Sequence, residues 1–96
     1  VLGHTSCGAI QGAYNDVELG HLTALVEKLK PAVDAVRAGS GEGGELSLDE
    51  IASANVQLTV KDILDRSPIL RELFDQGDID VVGAMYDVGS GVVTFL

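Results

Sequence analysis

The sequence is poor in cysteine and positive charge and has no long hydrophobic run, and each shortage excludes a class of protein. A single cysteine among 96 residues excludes an internal disulfide framework and fits a reducing compartment. Six basic against fifteen acidic side chains give a net charge of −9, which repels phosphate backbones, so we expect no nucleic-acid partner. Apolar runs fall far short of the ~20 residues of a membrane-spanning helix, so we expect no membrane partner. The first residues show no basic n-region or cleavage signature, and we therefore predict a cytoplasmic protein.

The residues that are present indicate one small α/β domain. Hydrophobic residues make up 46% of the chain, too many for a disordered tail, and the length allows one domain at most. The sequence starts at Val1 inside an apolar stretch. Because a terminal strand without neighbours gains little from ordering, we expect residues 1–96 to be a single partial domain whose earlier part is missing.

Hydrophobic periodicity predicts the order β-α-α-α-β-β, with a moderately helical segment at 7–14 after the first strand. The predicted strands are 1–3, 79–88 and 92–96, and the predicted helices are 18–37, 47–66 and a third that begins at Pro68 and stops at Gly77. The last two strands form a β-hairpin around the turn at 89–91. The fold class is therefore α/β, with a parallel-sheet core, flanking helices and a terminal hairpin.

Local signals mark where several of these elements begin and end. Ser47 and Glu50 have the spacing of a capping box, and Ser67 followed by Pro68 is typical of a helix start. Pro31 allows a kink or a break in the first long helix. The segment 38–45 contains four glycines, which predicts a flexible surface loop.

His4 and Cys7 are the strongest candidates for chemistry. They follow a predicted strand where the chain turns into a helix, the end of an α/β sheet at which active sites gather. Zinc accepts both imidazole nitrogen and thiolate sulfur, so the two side chains could hold one ion. Two other interpretations stay open on these residues alone: a structural cysteine beside an exposed histidine, or a redox or sensor thiolate at Cys7. His21 is interpreted as a solvated or capping residue, and Asp87 as a turn former.

Three separated motifs resemble the β-class carbonic anhydrases. Residues 1–10, VLGHTSCGAI, are similar to the family's second zinc motif, an apolar strand followed by G-H-x-x-C-G. A helix that carries Asn55-Val56 and ends at Ser67-Pro68 is similar to the family's penultimate helix, and residues 82–96 look like its closing hairpin, with Gly-x-x-Tyr-Asp. The resemblance covers nearly the whole chain in the right order and indicates the C-terminal half of such a domain.

The resemblance implies a zinc enzyme, a lyase that reversibly hydrates carbon dioxide to bicarbonate. It implies Zn²⁺ as cofactor, with His4 and Cys7 as metal ligands and Gly8 next to the substrate. The family's earlier C-x-D-x-R motif, which gives a third ligand and an Asp–Arg pair that positions the nucleophile, is absent from this sequence. The resemblance therefore implies no catalytic residue in this chain, and we expect the 96 residues alone to hydrate carbon dioxide poorly or not at all.

Two hypotheses follow about what the chain does. In the first it is part of a complete enzyme, with the missing N-terminal half or another copy of the chain as its partner, and it is a homo-oligomer. In the second it is a non-catalytic module that keeps the fold for assembly or interaction. The resemblance also implies that the chain alone lacks the strand beside its first strand. We therefore expect an open sheet edge there and four exposed apolar side chains on the first long helix: Leu22, Leu25, Leu29 and Val33.

Overall fold

A computed structural model describes residues 1–18, 20–40 and 44–96 of the chain. Its elements are β1 Leu2–His4, α1 Gly8–Tyr14, a 3-10 turn Gly20–Leu22, α2 Thr23–Ser40, α3 Leu48–Arg66, α4 Pro68–Asp75, β2 Ala84–Tyr86 and β3 Val93–Phe95. The predicted α/β class is confirmed, and the segment at 7–14 contains a regular helix, so the described residues form four helices where the predicted order had three.

The three strands form one mixed sheet in the order β1-β2-β3. β1 pairs in parallel with β2, Gly3 opposite Met85, and β2 pairs antiparallel with β3, Met85 opposite Thr94. All four helices lie between β1 and β2 in the chain, since a parallel pair needs a long crossover connection. The predicted hairpin and parallel pairing are therefore confirmed, and the far edge of β1 has no partner strand within the described residues.

The core lies between the helices and one face of the sheet. α2 packs against α1 and α3, and α3 also contacts β1 and β2. Ile51 of α3 and Ala32 of α2 are fully buried, and Val26, Val33 and Met85 belong to the same cluster. Pro31, where a kink or a break was allowed, does not end α2, which continues to Ser40. The buried residues lie on both sides of the proline, so one apolar face of the helix runs past it.

Val56 of α3 is held between two glycines that lie far apart in the sequence. It is only 2% exposed. A Cβ added at Gly3 would come within 2.6 Å of one Val56 methyl group, and a Cβ added at Gly83 within 2.6 Å of the other. The helix can approach the sheet this closely because both glycines lack side chains.

The first long helix begins later and ends later than predicted. Its predicted start at residue 18 is wrong, because residues 20–22 form a 3-10 turn and α2 starts at Thr23. Gly20 has a φ of +52°, a left-handed conformation that regular α-helix does not contain. Leu19, which contributed to the predicted periodicity, lies outside the described residues.

The predicted loop at 38–45 is wrong in its first three residues, since α2 continues to Ser40. Residues 41–43 lie outside the described ranges, and Gly44 and Glu45 have no regular structure. The predicted strand at 79–88 is also too long. Only Ala84–Tyr86 pairs, because the neighbouring β1 offers three residues and a strand needs a partner along its length.

The predicted N-caps of the two helices in the second half of the chain, α3 and α4, are both confirmed. The Ser47 hydroxyl accepts from the Glu50 backbone N–H at 3.4 Å, and the Ser67 hydroxyl accepts from the Leu70 N–H at 3.2 Å. Pro68 occupies the first turn of α4, where its missing N–H costs nothing. No helix of the described residues has both the length and the apolar character to cross a bilayer.

Candidate functional site

The turn between β1 and α1 carries His4 and Cys7. β1 ends at His4, and α1 starts at Gly8 with Cys7 as its N-cap residue. Between them Ser6 has a φ of 54°, a left-handed conformation that is uncommon for a residue with a side chain. The turn therefore depends on its hydrogen bonds to keep this geometry.

The His4 ring is oriented by its own backbone neighbour. Its Nδ1 lies 2.7 Å from the carbonyl oxygen of Thr5. Because a carbonyl oxygen can only accept, this bond requires a proton on Nδ1, and in the neutral ring that arrangement leaves the lone pair on Nε2. A histidine that ligates a metal commonly donates its other ring N–H to a carbonyl or carboxylate in this way. The His4 side chain is thus in a form that could donate Nε2 to a cation.

Cys7 and His4 line the same cavity. Cys7 is half-buried, and its sulfur makes no capping hydrogen bond within the described chain, although it occupies an N-cap position. The cavity has a volume of about 220 Å³, and Asn55 is the third polar residue of its lining. Most of the remaining lining is aliphatic: Leu2, Ile10, Leu25, Leu29 and Val56. An apolar pocket with a few convergent polar groups is the usual form of a small-molecule site.

The terminal hairpin holds the turn from one side. The Thr5 backbone N–H donates to the Tyr86 carbonyl at 3.0 Å, which extends the β1–β2 ladder by one bond. The Thr5 hydroxyl accepts from the Val88 N–H at 3.1 Å. Asp87 closes the hairpin as predicted, accepting from the Gly89 N–H at 2.8 Å. This bond, with smaller contributions from Ser90 and Thr5, holds the pKa of the Asp87 carboxyl below its usual value.

Helix α3 holds the same turn from the other side. The Ser6 backbone N–H donates to the Asp49 carboxylate at 3.2 Å, a contact between residues 43 positions apart. Asp49 lies in the first turn of α3, where an acidic residue is favoured by the helix dipole. Sequence reasoning missed Asp49, because it singled out only the capping pair Ser47 and Glu50 in this turn.

The described residues do not complete a metal site by themselves. They contain no group of three or more His, Cys, Asp or Glu side chains that could hold one ion. An imidazole and a thiol on one cavity fit zinc in type, but two donors are too few for a closed tetrahedral site. Gly8 is exposed and is not part of the cavity lining, and its place beside a substrate stays a prediction. His21 lies on the exposed 3-10 turn and is not part of the lining of this cavity.

Comparison with known proteins identifies the family. The sequence model of the carbonic anhydrases matches residues 1–93. The chain belongs to the carbonic anhydrase family. Carbonic anhydrase 2 of Mycobacterium tuberculosis is 33% identical in an alignment of 96 positions that covers 95% of this chain and 44% of the relative. A carbonic anhydrase of Mycolicibacterium smegmatis is 29% identical over 97% of this chain and 46% of the relative.

Solved structures place the chain in the β class of the family. A tetrameric β-carbonic anhydrase of the ascomycete Sordaria macrospora superimposes with a TM-score of 0.77 and 26% identity, over 99% of this chain and 49% of that one. The β-carbonic anhydrase CcaA gives a TM-score of 0.71 and 25% identity, over 99% and 48%. The chain thus spans just under half the length of each of these relatives.

Proposed function

We propose that this chain supplies the His4 and Cys7 ligands of a zinc site in a β-carbonic anhydrase that reversibly hydrates carbon dioxide to bicarbonate. The observation that carries the proposal is that both residues line one cavity beside the carboxyl end of β1, with the Nδ1 bond leaving His4 Nε2 as the nitrogen available to a cation. Family membership supports the reaction. Cytoplasmic location stays a prediction.

The residues of the chain have separate roles in this proposal. His4 Nε2 and the Cys7 thiolate would hold Zn²⁺, which when bound acts as a Lewis acid and lowers the pKa of water to about 7. The aliphatic walls formed by residues such as Ile10 and Val56 suit a small uncharged substrate better than an ion. The chain contains no C-x-D-x-R motif, so positioning of the nucleophile falls to residues outside it.

The open edge of β1 is where we propose that the rest of the site joins. Leu2 is 62% exposed, and Leu25, on the wall of the same cavity, is 50% exposed. Leu22 is exposed as expected, but Val33 is only 4% exposed, so the expectation for that residue is wrong: it packs into the core. Leu29 is half-buried.

The proposed occupant of this edge is the remainder of the family's domain, with its C-x-D-x-R segment. The chain spans 44–49% of its relatives, which supports a partner of about its own size. An unpaired strand edge presents backbone donors and acceptors with which another strand can pair. The exposed apolar side chains beside it add a hydrophobic surface that a partner could bury. The tetrameric state of the Sordaria structure supports a homo-oligomer for the completed protein.

Zinc binding and carbon dioxide hydration test the proposal together. Equilibrium dialysis should show zinc bound by the chain, with affinity at least about 10-fold weaker in His4→Ala and in Cys7→Ala. His21→Ala removes the other histidine of the chain and should leave the affinity unchanged. Equal zinc affinity in all four proteins would contradict the proposed ligands.

Stopped-flow hydration with a pH indicator then measures the activity. The chain alone should be near the uncatalysed rate, and adding a polypeptide that carries the C-x-D-x-R half of a relative should restore activity, which Cys7→Ala should abolish. Activity of the chain alone that Cys7→Ala abolishes would contradict the need for a partner.

The non-catalytic module is the second candidate, and the incomplete donor set favours it for the isolated chain. It predicts that the two polypeptides associate without any gain in rate. Association measured by light scattering, combined with an unchanged rate, would therefore select the second candidate over the first.

A further inference from the structure

The peptide unit that joins Thr5 and Ser6 is hydrogen-bonded at both of its ends. Its carbonyl oxygen accepts from His4 Nδ1 at 2.7 Å, and its N–H donates to the Asp49 carboxylate at 3.2 Å. In a trans peptide the C=O and N–H bonds point in opposite directions. His4 and Asp49 therefore bond to opposite edges of one rigid planar unit, and a rotation of that unit would disturb both bonds.

This plane needs an external constraint. Ser6 has a φ of 54°, which residues with side chains adopt rarely and keep only when their surroundings hold them there. The bond to Asp49 is the contact that ties the Ser6 N–H to helix α3. The Thr5 side of the plane is fixed separately, through its own N–H to Tyr86 and its hydroxyl to Val88.

We infer that Asp49 is a positioning residue for His4, acting through the Thr5–Ser6 peptide. The carboxylate fixes the plane and so aims the Thr5 carbonyl at His4 Nδ1. Hydrogen bonds in a chain polarise one another, so a carboxylate on the N–H makes the carbonyl at the other end a stronger acceptor. The result is a carboxylate, a peptide and an imidazole in series, which keeps the proton on Nδ1 and the lone pair on Nε2.

The effect on metal binding rests on the proposed function, whereas the effect on the proton position of His4 does not. Groups that bond the second nitrogen of a ligating histidine set its tautomer and its basicity as a ligand. Here the Thr5 carbonyl bonds the second nitrogen of His4, and Asp49 bonds the N–H of the same peptide unit.

A simpler role for Asp49 would be stabilisation of α3 through the helix dipole. Glu50 shares the first turn of α3 and carries the same charge, and its backbone N–H bonds to Ser47 whatever its side chain is. Glu50→Ala therefore removes a first-turn carboxylate and leaves the Ser6 contact in place. It is the matched control for Asp49→Ala.

The first test reads the tautomer of His4 in the metal-free chain by long-range ¹H–¹⁵N NMR, at an alkaline pH where imidazole is neutral. The wild-type chain should show His4 mainly protonated on Nδ1. Asp49→Ala should shift His4 toward the Nε2-protonated form, while Glu50→Ala should not. Asp49→Asn keeps an oxygen that can accept from Ser6 and should retain the wild-type tautomer. The exposed His21 is the internal reference and should not change.

The second test measures zinc affinity of the same variants by competition with a chromophoric chelator. Asp49→Ala should bind zinc about 3- to 10-fold more weakly, the size of effect expected for one exposed hydrogen bond behind a ligand. Glu50→Ala should match the wild-type chain.

Wild-type His4 protonated on Nε2 would overturn the inference without any variant, even if Asp49→Ala failed to fold. An unchanged tautomer in a folded Asp49→Ala, or an equal change in Glu50→Ala, would also overturn it. A tautomer that depends on Asp49 in a chain that does not bind zinc would support the positioning role and contradict the proposed function, so the two failures are distinguishable.

Discussion

Replacing Gly3 by alanine tests whether the separated motifs meet at Val56. The added methyl carbon would lie 2.6 Å from Val56 Cγ2 and 2.8 Å from Met85 Sδ, well inside the 3.4–4 Å of ordinary van der Waals contact. The thioether of Met85 can move aside. Val56 cannot do so easily, because valine has one favoured rotamer in a helix and its other methyl group already faces Gly83.

The expected loss of stability follows from two opposing effects. Overpacking of this kind costs about 1–3 kcal/mol. The lower backbone entropy of alanine in the unfolded chain returns about 0.5–1 kcal/mol. We therefore expect Gly3→Ala to lower the free energy of unfolding by about 1–2 kcal/mol. With a denaturant slope of about 1 kcal/mol/M, typical of a small protein, the urea midpoint should fall by about 1–2 M.

Urea unfolding followed by circular dichroism measures this difference, with Gly8→Ala as the matched control. A Cβ at Gly8 would meet no atom within 4 Å, so that variant should equal or slightly exceed the wild-type stability. In the double variant with Val56→Ala the two losses should not add, since the smaller side chain makes room for the new methyl group. Wild-type stability of Gly3→Ala, or an equal loss in Gly8→Ala, would refute the close packing of α3 on β1.

Two further predictions concern the hairpin turn and the open edge. Since the folded state lowers the pKa of Asp87, that carboxylate contributes stability above its unfolded pKa of about 3.9, and the contribution is lost as the pH falls through the lower folded value. Urea midpoints between pH 7 and pH 3 should thus depend less on pH in Asp87→Asn than in the wild-type chain. Parallel curves for the two proteins would contradict the role of the turn. Light scattering at physiological salt, where the charge of −9 is screened beyond about 8 Å, should show the chain without its partner self-associating, and Leu2→Lys should return it to a monomer. Phe95→Lys charges the opposite edge of the sheet, at a residue 72% exposed, and should leave the mass unchanged; a monomeric wild-type chain would contradict the prediction.

Sequence reasoning worked best where structure is set by neighbouring residues. The starts of α3 and α4 depend on a serine hydroxyl and the backbone N–H three residues later, and both were predicted at Ser47 and Ser67. The length of β2 depends instead on a distant partner strand, since Ala84 pairs with Leu2, 82 positions earlier in the chain. The β-branched residues around β2 could not indicate that its partner offers only three residues. The same holds for Asp49, whose contact with Ser6 joins two segments with no shared local pattern.

The family resemblance drew on motifs whose connection becomes visible only in three dimensions. Gly3 belongs to the zinc motif, Val56 to the Asn-Val helix and Gly83 to the closing hairpin, yet all three share one packing contact. A motif match can therefore succeed where spacing arguments fail, because it carries the result of a tertiary contact that the local sequence does not explain.

The turn that carries the proposed ligands His4 and Cys7 is held by hydrogen bonds from within the chain. The turn between His4 and Cys7 is bonded to β2 through Thr5 and to α3 through Ser6, so its ordering belongs to the folding of the chain itself. In the proposed function, a partner that brings further ligands would meet a turn that is already ordered, so less conformational entropy would be lost when the site closes. In the proposed assembly, the partner supplies the zinc ligands that this chain lacks, and zinc links the ligands of the two polypeptides. By thermodynamic linkage, zinc must strengthen partner binding by the same factor by which the partner strengthens zinc binding.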